Sequence, residues 1–390
     1  MTQPLQWRDM LAELIAANTI SSADPALDRG NRTAAEQLAE RLRDCGFECA
    51  IQPLPNRADK VNLTARIGGS AAAASEQGLV FAGHLDTVPH DAEGWSSDPF
   101  ELVERDERLY GLGVADMKGF LALGAGVAGE YAGRRLAAPL TLLISCDEEC
   151  GMDGARALRD GGGLAPGRHC IIGEPTGLVP IRRHKGIFMD RIVVHGAAGH
   201  SSNPALGANA IDAMHLAVAA LRELRAELRA GSLEADFPVP HATLNLGAIH
   251  GGDNANRIPA SCTLDLDLRF LPGMDMDGLR SILRARVRRA VADSDCTVSF
   301  DSLFAGTPAF ATAADAAIVA ACERLSGSRA QAVDFGTEGA FYNQMGMETV
   351  IFGPGDIAQA HQPDEFLALE RIAPMQQMLR ALVEQFCVQQ

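Results

Sequence analysis

Short apolar runs that each stop at an acid or a histidine constrain this chain more than any other feature. The run at 79–82 leads into His84 and Asp86, the run at 140–144 into Asp147, Glu148 and Glu149, and Ile171-Ile172 into Glu174. A further run at 349–353 precedes His361. Helical patterns at about 117–131 and 153–160 lie between these runs. Strand, helix, strand in that order defines an α/β unit, whose functional side chains collect at strand ends. Upstream, 7–19 and 34–45 carry apolar residues at helical spacing: Leu11, Leu14 and Ile15, then Leu38, Leu42 and Cys45.

The pattern changes near residue 180. A strand (FMDRIVVHG), a long helix and two more strands (ATLNLGAIH, SCTLDLDLRF) follow one another, then a helix at 276–292 and a strand at 296–304. Ile211, Met214, Val218, Leu221, Leu224 and Leu228 mark one face of the long helix. Strands clustered around two helices predict a small α+β domain inserted in the first. The alternation then resumes with a helix at 312–325, a short strand near 331–335, the strand ETVIFG and a closing helix at 368–386. The alanine run at 71–74 reads as a loop.

At 390 residues the chain has room for two or three domains, each able to bury a core. Against 50 Asp and Glu stand 34 Lys and Arg, a formal charge of -16, with no basic block. That excludes a nucleic-acid binder, whose affinity is carried by clustered Lys and Arg. The 9 Cys form no C-x-x-C pair and suit reduced thiols rather than a disulfide framework. Residues 1–20 lack a basic segment followed by a long apolar one, and no run approaches ~18 apolar residues. The expectation is a cytoplasmic protein with no membrane partner.

Each acid and histidine has both a chemical and an ordinary reading. His84 and Asp86 leave a strand end on the same side, so the carboxylate can take the second imidazole N–H; the alternative is a loop His with a turn-forming Asp. Asp116, at a Gly-rich turn before a helix, is a ligand or an N-cap. Three consecutive carboxylates at 147–149 repel one another and lose hydration unless a cation sits among them, or else they form a solvated loop. Two imidazoles with several carboxylates suit Zn²⁺ better than an all-oxygen Ca²⁺ or Mg²⁺ site. A two-metal centre needs one shared carboxylate, terminal ligands on each ion and one acid left to move protons. The sequence supplies that number.

The strings GHLDTVP, GLGVADMKG, SCDEE, IIGEPTG, HKG, GHSSNP, LNLGAIHGGDNANRIPA, DLRFLPG, FGTEGAF and GPGDIAQAHQPDEF occur in order from about residue 80 to 370. Together they resemble the dizinc amidohydrolase and exopeptidase family, which holds acetylornithine deacetylase, succinyl-diaminopimelate desuccinylase, aminoacylase and glutamate carboxypeptidase. LGAIHGGDNANRIP paired with AHQPDEF most resembles the acetylornithine deacetylase branch. The resemblance implies an α/β fold: a mixed-sheet catalytic domain with helices on both faces, from 1–180 and 297–390, and a smaller inserted α+β dimerisation or lid domain at 181–296. It implies two Zn²⁺, replaceable by Co²⁺, with His84, Asp116 and Glu174 on one ion and Asp116, Glu149 and His361 on the other. Glu148 would be the general base and Asp86 the orienter of His84. His200 would help bind the reacting carbonyl oxygen, and Arg269 and Asn256 would grip the substrate carboxylate; the latter two also read as a strand-surface charge and a loop cap.

The implied reaction is hydrolysis of an N-acyl amino acid, N2-acetyl-L-ornithine foremost, by a homodimer. Another N-acyl amino acid, a succinyl-diaminopimelate-like substrate or a dipeptide is the enzymatic alternative. A non-catalytic binding protein on the same fold would be expected to lose a ligand or the base, and all are present. A Ser or Cys hydrolase fits less well: there is no G-x-S-x-G elbow, and Cys146 lies beside acids that disfavour its thiolate.

Overall fold

Every residue of the strands Leu79–His84 and Leu140–Ser145 is buried. Strand side chains alternate between faces, so both faces of the sheet that holds these strands must be covered. The computed structural model describes residues 5–69, 77–161 and 167–388; the loop expected at 71–74 lies outside them. The chain divides into two compact units, one of residues 1–182, 311–331 and 337–390, the other of 183–310 and 332–336.

In the first unit the sheet runs Glu48–Leu54, Arg57–Ile67, Leu140–Ser145, Leu79–His84, His169–Ile172, Glu348–Ile351 in spatial order. The first two contacts are antiparallel and the next three parallel, which makes the sheet mixed, as expected. The four parallel strands therefore end on one edge, with His84 level with Ser145. Helix Lys118–Gly129 is buried from Lys118 through Ala128 and packs with Trp7–Ala16 and Ile372–Val383. Helices Asp153–Gly161 and Gly339–Gln344 form a separate packed pair. Gly173, just before Glu174, cannot be another residue without a shift: a Cβ there would lie 1.8 Å from the Phe120 ring. Close approach of helix to strand is what sets Glu174 at the sheet edge.

The second unit is a four-stranded antiparallel sheet, ordered Thr243–Gly251, Ser261–Phe270, Gly186–His195, Thr297–Thr307. Its two central strands alternate buried and half-buried residues. Helices Ala210–Ala230 and Met276–Val291 cover the buried face and share one core with it, including Phe188, Ile192, Met214, Leu221, Leu266 and Leu283. The boundary at 296 is corrected: strand Thr297–Thr307 pairs along most of Gly186–His195, so the inserted unit continues to 310. On the long helix Met214, Leu221 and Leu224 are buried and Val218 and Leu228 pack against the core. Ile211, in its first turn, is 45% exposed.

Candidate metal centre

The carboxyl edge of the parallel strands gathers the acids and imidazoles of the first unit. His84 ends its strand, and its Nδ1 lies 3.0 Å from the Asp86 carbonyl oxygen. A carbonyl only accepts, so Nδ1 donates and Nε2 faces the other ligands. Nε2 is 3.2 Å from Asp116 Oδ1 and 3.9 Å from Glu174 Oε1. The imidazole of His361, a residue with φ +61°, places Nε2 3.1 Å from Glu149 Oε2 and 3.8 Å from Asp116 Oδ2. Asp116 thus lies between the two imidazoles.

One donor atom each from His84, Asp116 and Glu149 fall within 4.8 Å of one another. Glu174 Oε1 is buried with no hydrogen-bond partner. A buried carboxylate oxygen left without a donor is costly, and a cation removes that cost. Among the described residues no lysine or arginine is ion-paired with Asp116, Glu148, Glu149 or Glu174; the partners of Asp116, Glu149 and Glu174 are imidazoles. The donor set and the orphaned oxygen both fit a metal ion.

The acid–base balance follows from this crowding. Burial, then the charge of Glu174, pushes the Glu148 carboxyl well up, and burial, then Asp116, does the same to Glu174. Burial also raises Glu149, against the opposing hydrogen bond from His361. Burial opposes charge on His84, but the Asp116 hydrogen bond and the surrounding carboxylates outweigh it and hold the imidazole well above its ordinary range. Asp116 is held down: burial raises it, and the His84 hydrogen bond together with the charges of His84 and His361 more than compensates. The bond to Glu149 lifts His361 to about 9, against the effect of burial. A cation among these carboxylates would relieve the crowding that lifts them.

The turn that carries the two glutamates is fixed from below. Asp147 has φ +62°, and the amides of Glu148 and Glu149 donate to Asp86 Oδ1 and Oδ2 at 3.3 and 3.2 Å. This corrects the expected mode of action of Asp86: its carbonyl orients His84, while its carboxylate, 3.8 Å from Nδ1, holds the glutamate turn. Three buried residues here escaped the sequence reading. Lys60 pairs with Asp28 and Asp147, Glu338 accepts from the Tyr342 hydroxyl at 3.0 Å and is lifted by burial to about 7, and Glu365 caps the turn before Asp116. The signal for Glu365 was its place in HQPDEF; Lys60 offered only a lysine within a strand.

The other three expected residues lie in the second unit. His200 pairs with Arg257 in a two-residue ladder, and its Nδ1 accepts from the Ser202 amide and hydroxyl at 3.1 and 2.7 Å. Asn256 is next to it, its carbonyl accepting from the Ser201 amide at 3.1 Å. Arg269 stands apart from these, with Nη1 donating to the Asp334 carbonyl at 2.9 Å and Nε to Asp267 at 3.3 Å.

A mixed α/β unit with histidines and carboxylates converging at one sheet edge defines a metal-dependent hydrolase. The chain belongs to peptidase family M20/M25/M40, whose model matches residues 80–385. It is 43% identical over 374 residues to an acetylornithine deacetylase of Edwardsiella ictaluri, covering 96% of each chain. Among solved structures it is similar to an M20 family metallo-carboxypeptidase of Sulfolobus solfataricus (TM-score 0.75, 17% identity, 97% and 98% of the two chains). It is similar also to a dinuclear metal binding M20 peptidase of Bacillus subtilis (TM-score 0.65, 14% identity, 97% and 98% covered). Among the described residues no helix is long and apolar enough to cross a membrane.

Proposed function

We propose that this enzyme hydrolyses the amide of N2-acetyl-L-ornithine to acetate and L-ornithine, a step of arginine biosynthesis, as a cytoplasmic homodimer that pairs through its inserted unit. The observation that carries the chemistry is the convergence of His84, Asp116 and Glu149 donors within 4.8 Å, with Glu174 and His361 beside them and Glu148 left over. The substrate is supported by the 43% identical deacetylase, matched over 96% of the chain.

His84, Asp116 and Glu174 would hold one Zn²⁺, and Asp116, Glu149 and His361 a second, with Asp116 shared. Bound zinc would supply a water acidified toward pKa ~7 and a polarised amide carbonyl. Glu148 takes the proton of the attacking water and returns it to the leaving nitrogen. Its carboxyl is raised by burial and by Glu174, which brings its proton affinity closer to neutral pH, where such transfer is most effective. Asp86 keeps Glu148 in place through the Glu148 amide. By the family resemblance His200 would donate to the oxygen that gains charge, and Arg269 and Asn256 would bind the substrate carboxylate.

The test is a kcat/KM series on purified enzyme with N2-acetyl-ornithine, other N-acetyl, N-formyl and N-succinyl amino acids, and dipeptides. Acetylornithine should rank first, activity should vanish in chelator, and Zn²⁺ or Co²⁺ should restore it. A succinyl compound or a dipeptide in first place would replace the substrate while leaving the metal chemistry intact.

A further inference from the structure

Glu365 follows the His361 loop, is 2% exposed, and has no lysine or arginine within ion-pair distance among the described residues. Burial lifts its carboxyl to about 8, opposed by main-chain amides that donate to it. Oε2 accepts from the Gly113 amide at 2.8 Å, and Oε1 accepts from the amides of Ala115 and Asp116 at 2.7 and 3.0 Å. The Glu365 carbonyl takes a fourth amide, that of Gly111, at 3.3 Å. Gly113 has φ +79°, which turns its amide inward beside the other two, and its own Cβ would meet the Thr87 side chain at 2.6 Å. One residue therefore takes four donors from a six-residue turn.

The turn ends at Asp116, and Glu365 is four residues from His361. The residue before Glu365 is also anchored: Asp364 Oδ1 accepts from the Ser96 amide and hydroxyl at 2.8 and 2.9 Å. We infer that Glu365 is a positioning residue of the metal centre, setting the main chain of Asp116 and fixing its distance to His361, so that one carboxylate can serve two ions. This rests on the reading of Asp116 as the shared ligand. A brace serving only the fold could take any amides of the turn; this carboxylate takes the amide of Asp116 itself. A carboxylate is required, since both oxygens accept. Glutamine would offer one oxygen and turn an NH2 group toward an amide N–H.

The test is a competition titration of metal-free protein with Co²⁺ against a chromophoric chelator, with the visible spectrum of bound Co²⁺ and thermal unfolding of the metal-free protein recorded alongside. Wild type should take two ions. Glu365→Gln should lose about 10- to 100-fold in affinity for at least one ion, the range for residues that orient ligands, with an altered Co²⁺ spectrum. Glu365→Asp, which keeps both oxygens one methylene short, should fall between the two. A folded Glu365→Gln protein with wild-type affinity and spectrum overturns the inference. Where Glu365→Gln does not fold, Glu365→Asp decides: unchanged affinity and spectrum overturn it. Fewer than two ions on wild type would bring down the metal-centre reading itself, and the inference with it.

Discussion

Around Lys60 the first unit buries carboxylates together with a lysine of its own, whereas at the ends of the parallel strands it buries more of them with no lysine or arginine paired to them among the described residues. Lys60 Nζ contacts Asp147, Asp28 at 2.8 Å and the Ser21 hydroxyl at 3.1 Å, and Arg57 closes on Asp28 at 2.7 Å. Burial opposes both charges, yet the pairing wins: Asp28 is held below its ordinary value and Lys60 above it. At the strand ends Glu148, Glu149 and Glu174 are all pushed up, burial first. Lys118, next to that site in sequence, makes no ion pair with it among the described residues: its Nζ donates to the Ala17 carbonyl at 3.0 Å, and burial lowers it to about 7. The two clusters meet in one turn, since Asp147 belongs to the first and Glu148 and Glu149 to the second. A chain that can neutralise Asp147 with a lysine and leaves its neighbours without one has kept that place for an ion from solution.

The sharpest division between the two clusters is functional. Glu148→Gln should cut kcat by about 10²- to 10⁴-fold, the usual share of a general base, while metal content measured by atomic emission stays at the wild-type level; near-normal turnover would remove Glu148 from the mechanism. Lys60→Met attacks the self-sufficient cluster. Leaving Asp147 buried without its lysine, and Asp28 with Arg57 alone, should cost about 3–5 kcal/mol in urea unfolding, and a loss well under ~1 kcal/mol would mean the pairing is not what stabilises this corner. Metal should act only on the other cluster. Zinc at 100 times its Kd should add about 2.7 kcal/mol to the stripped protein, and no gain would contradict a cation-deficient site.

The smallest effect lies in acid. Because Asp28 has a lower pKa folded than unfolded, its contribution is present above the unfolded value near 3.8 and is lost as pH falls through the folded one. Asp28→Asn should flatten the acid limb of stability below that pH, and an unchanged limb would show that the Lys60 pairing does not drive it.

Much of the centre was legible because each ligand follows a local signal. His84, Glu149 and Glu174 come just after apolar runs too short for anything but strands, and Asp116 sits in a turn marked by glycines at 111 and 113. What sequence could not show is contact across distance. The amides that the Glu365 carboxylate takes are 249 to 252 residues away, and the Lys60–Asp147 pair spans 87. Asp86 was read through its nearest neighbour, His84, whereas its carboxylate serves amides 62 and 63 residues on. In the fold, Glu48–Leu54 was missed as an edge strand with little regular burial, and the three-residue strands Val103–Arg105, Arg108–Tyr110 and Phe366–Ala368 are too short for any period to register. The domain boundary was misplaced because the alternation of Thr297–Thr307 does not say which sheet it joins.

Calorimetric titration of chelator-stripped protein with Zn²⁺ at neutral pH, in buffers of different ionisation enthalpy, tests the central claim most directly. Two ions should bind per chain with release of protons, since ligands must be deprotonated and the imidazole of His84 is held above its ordinary range. Absence of saturable binding, with hydrolysis of acetylornithine persisting in chelator, would contradict it.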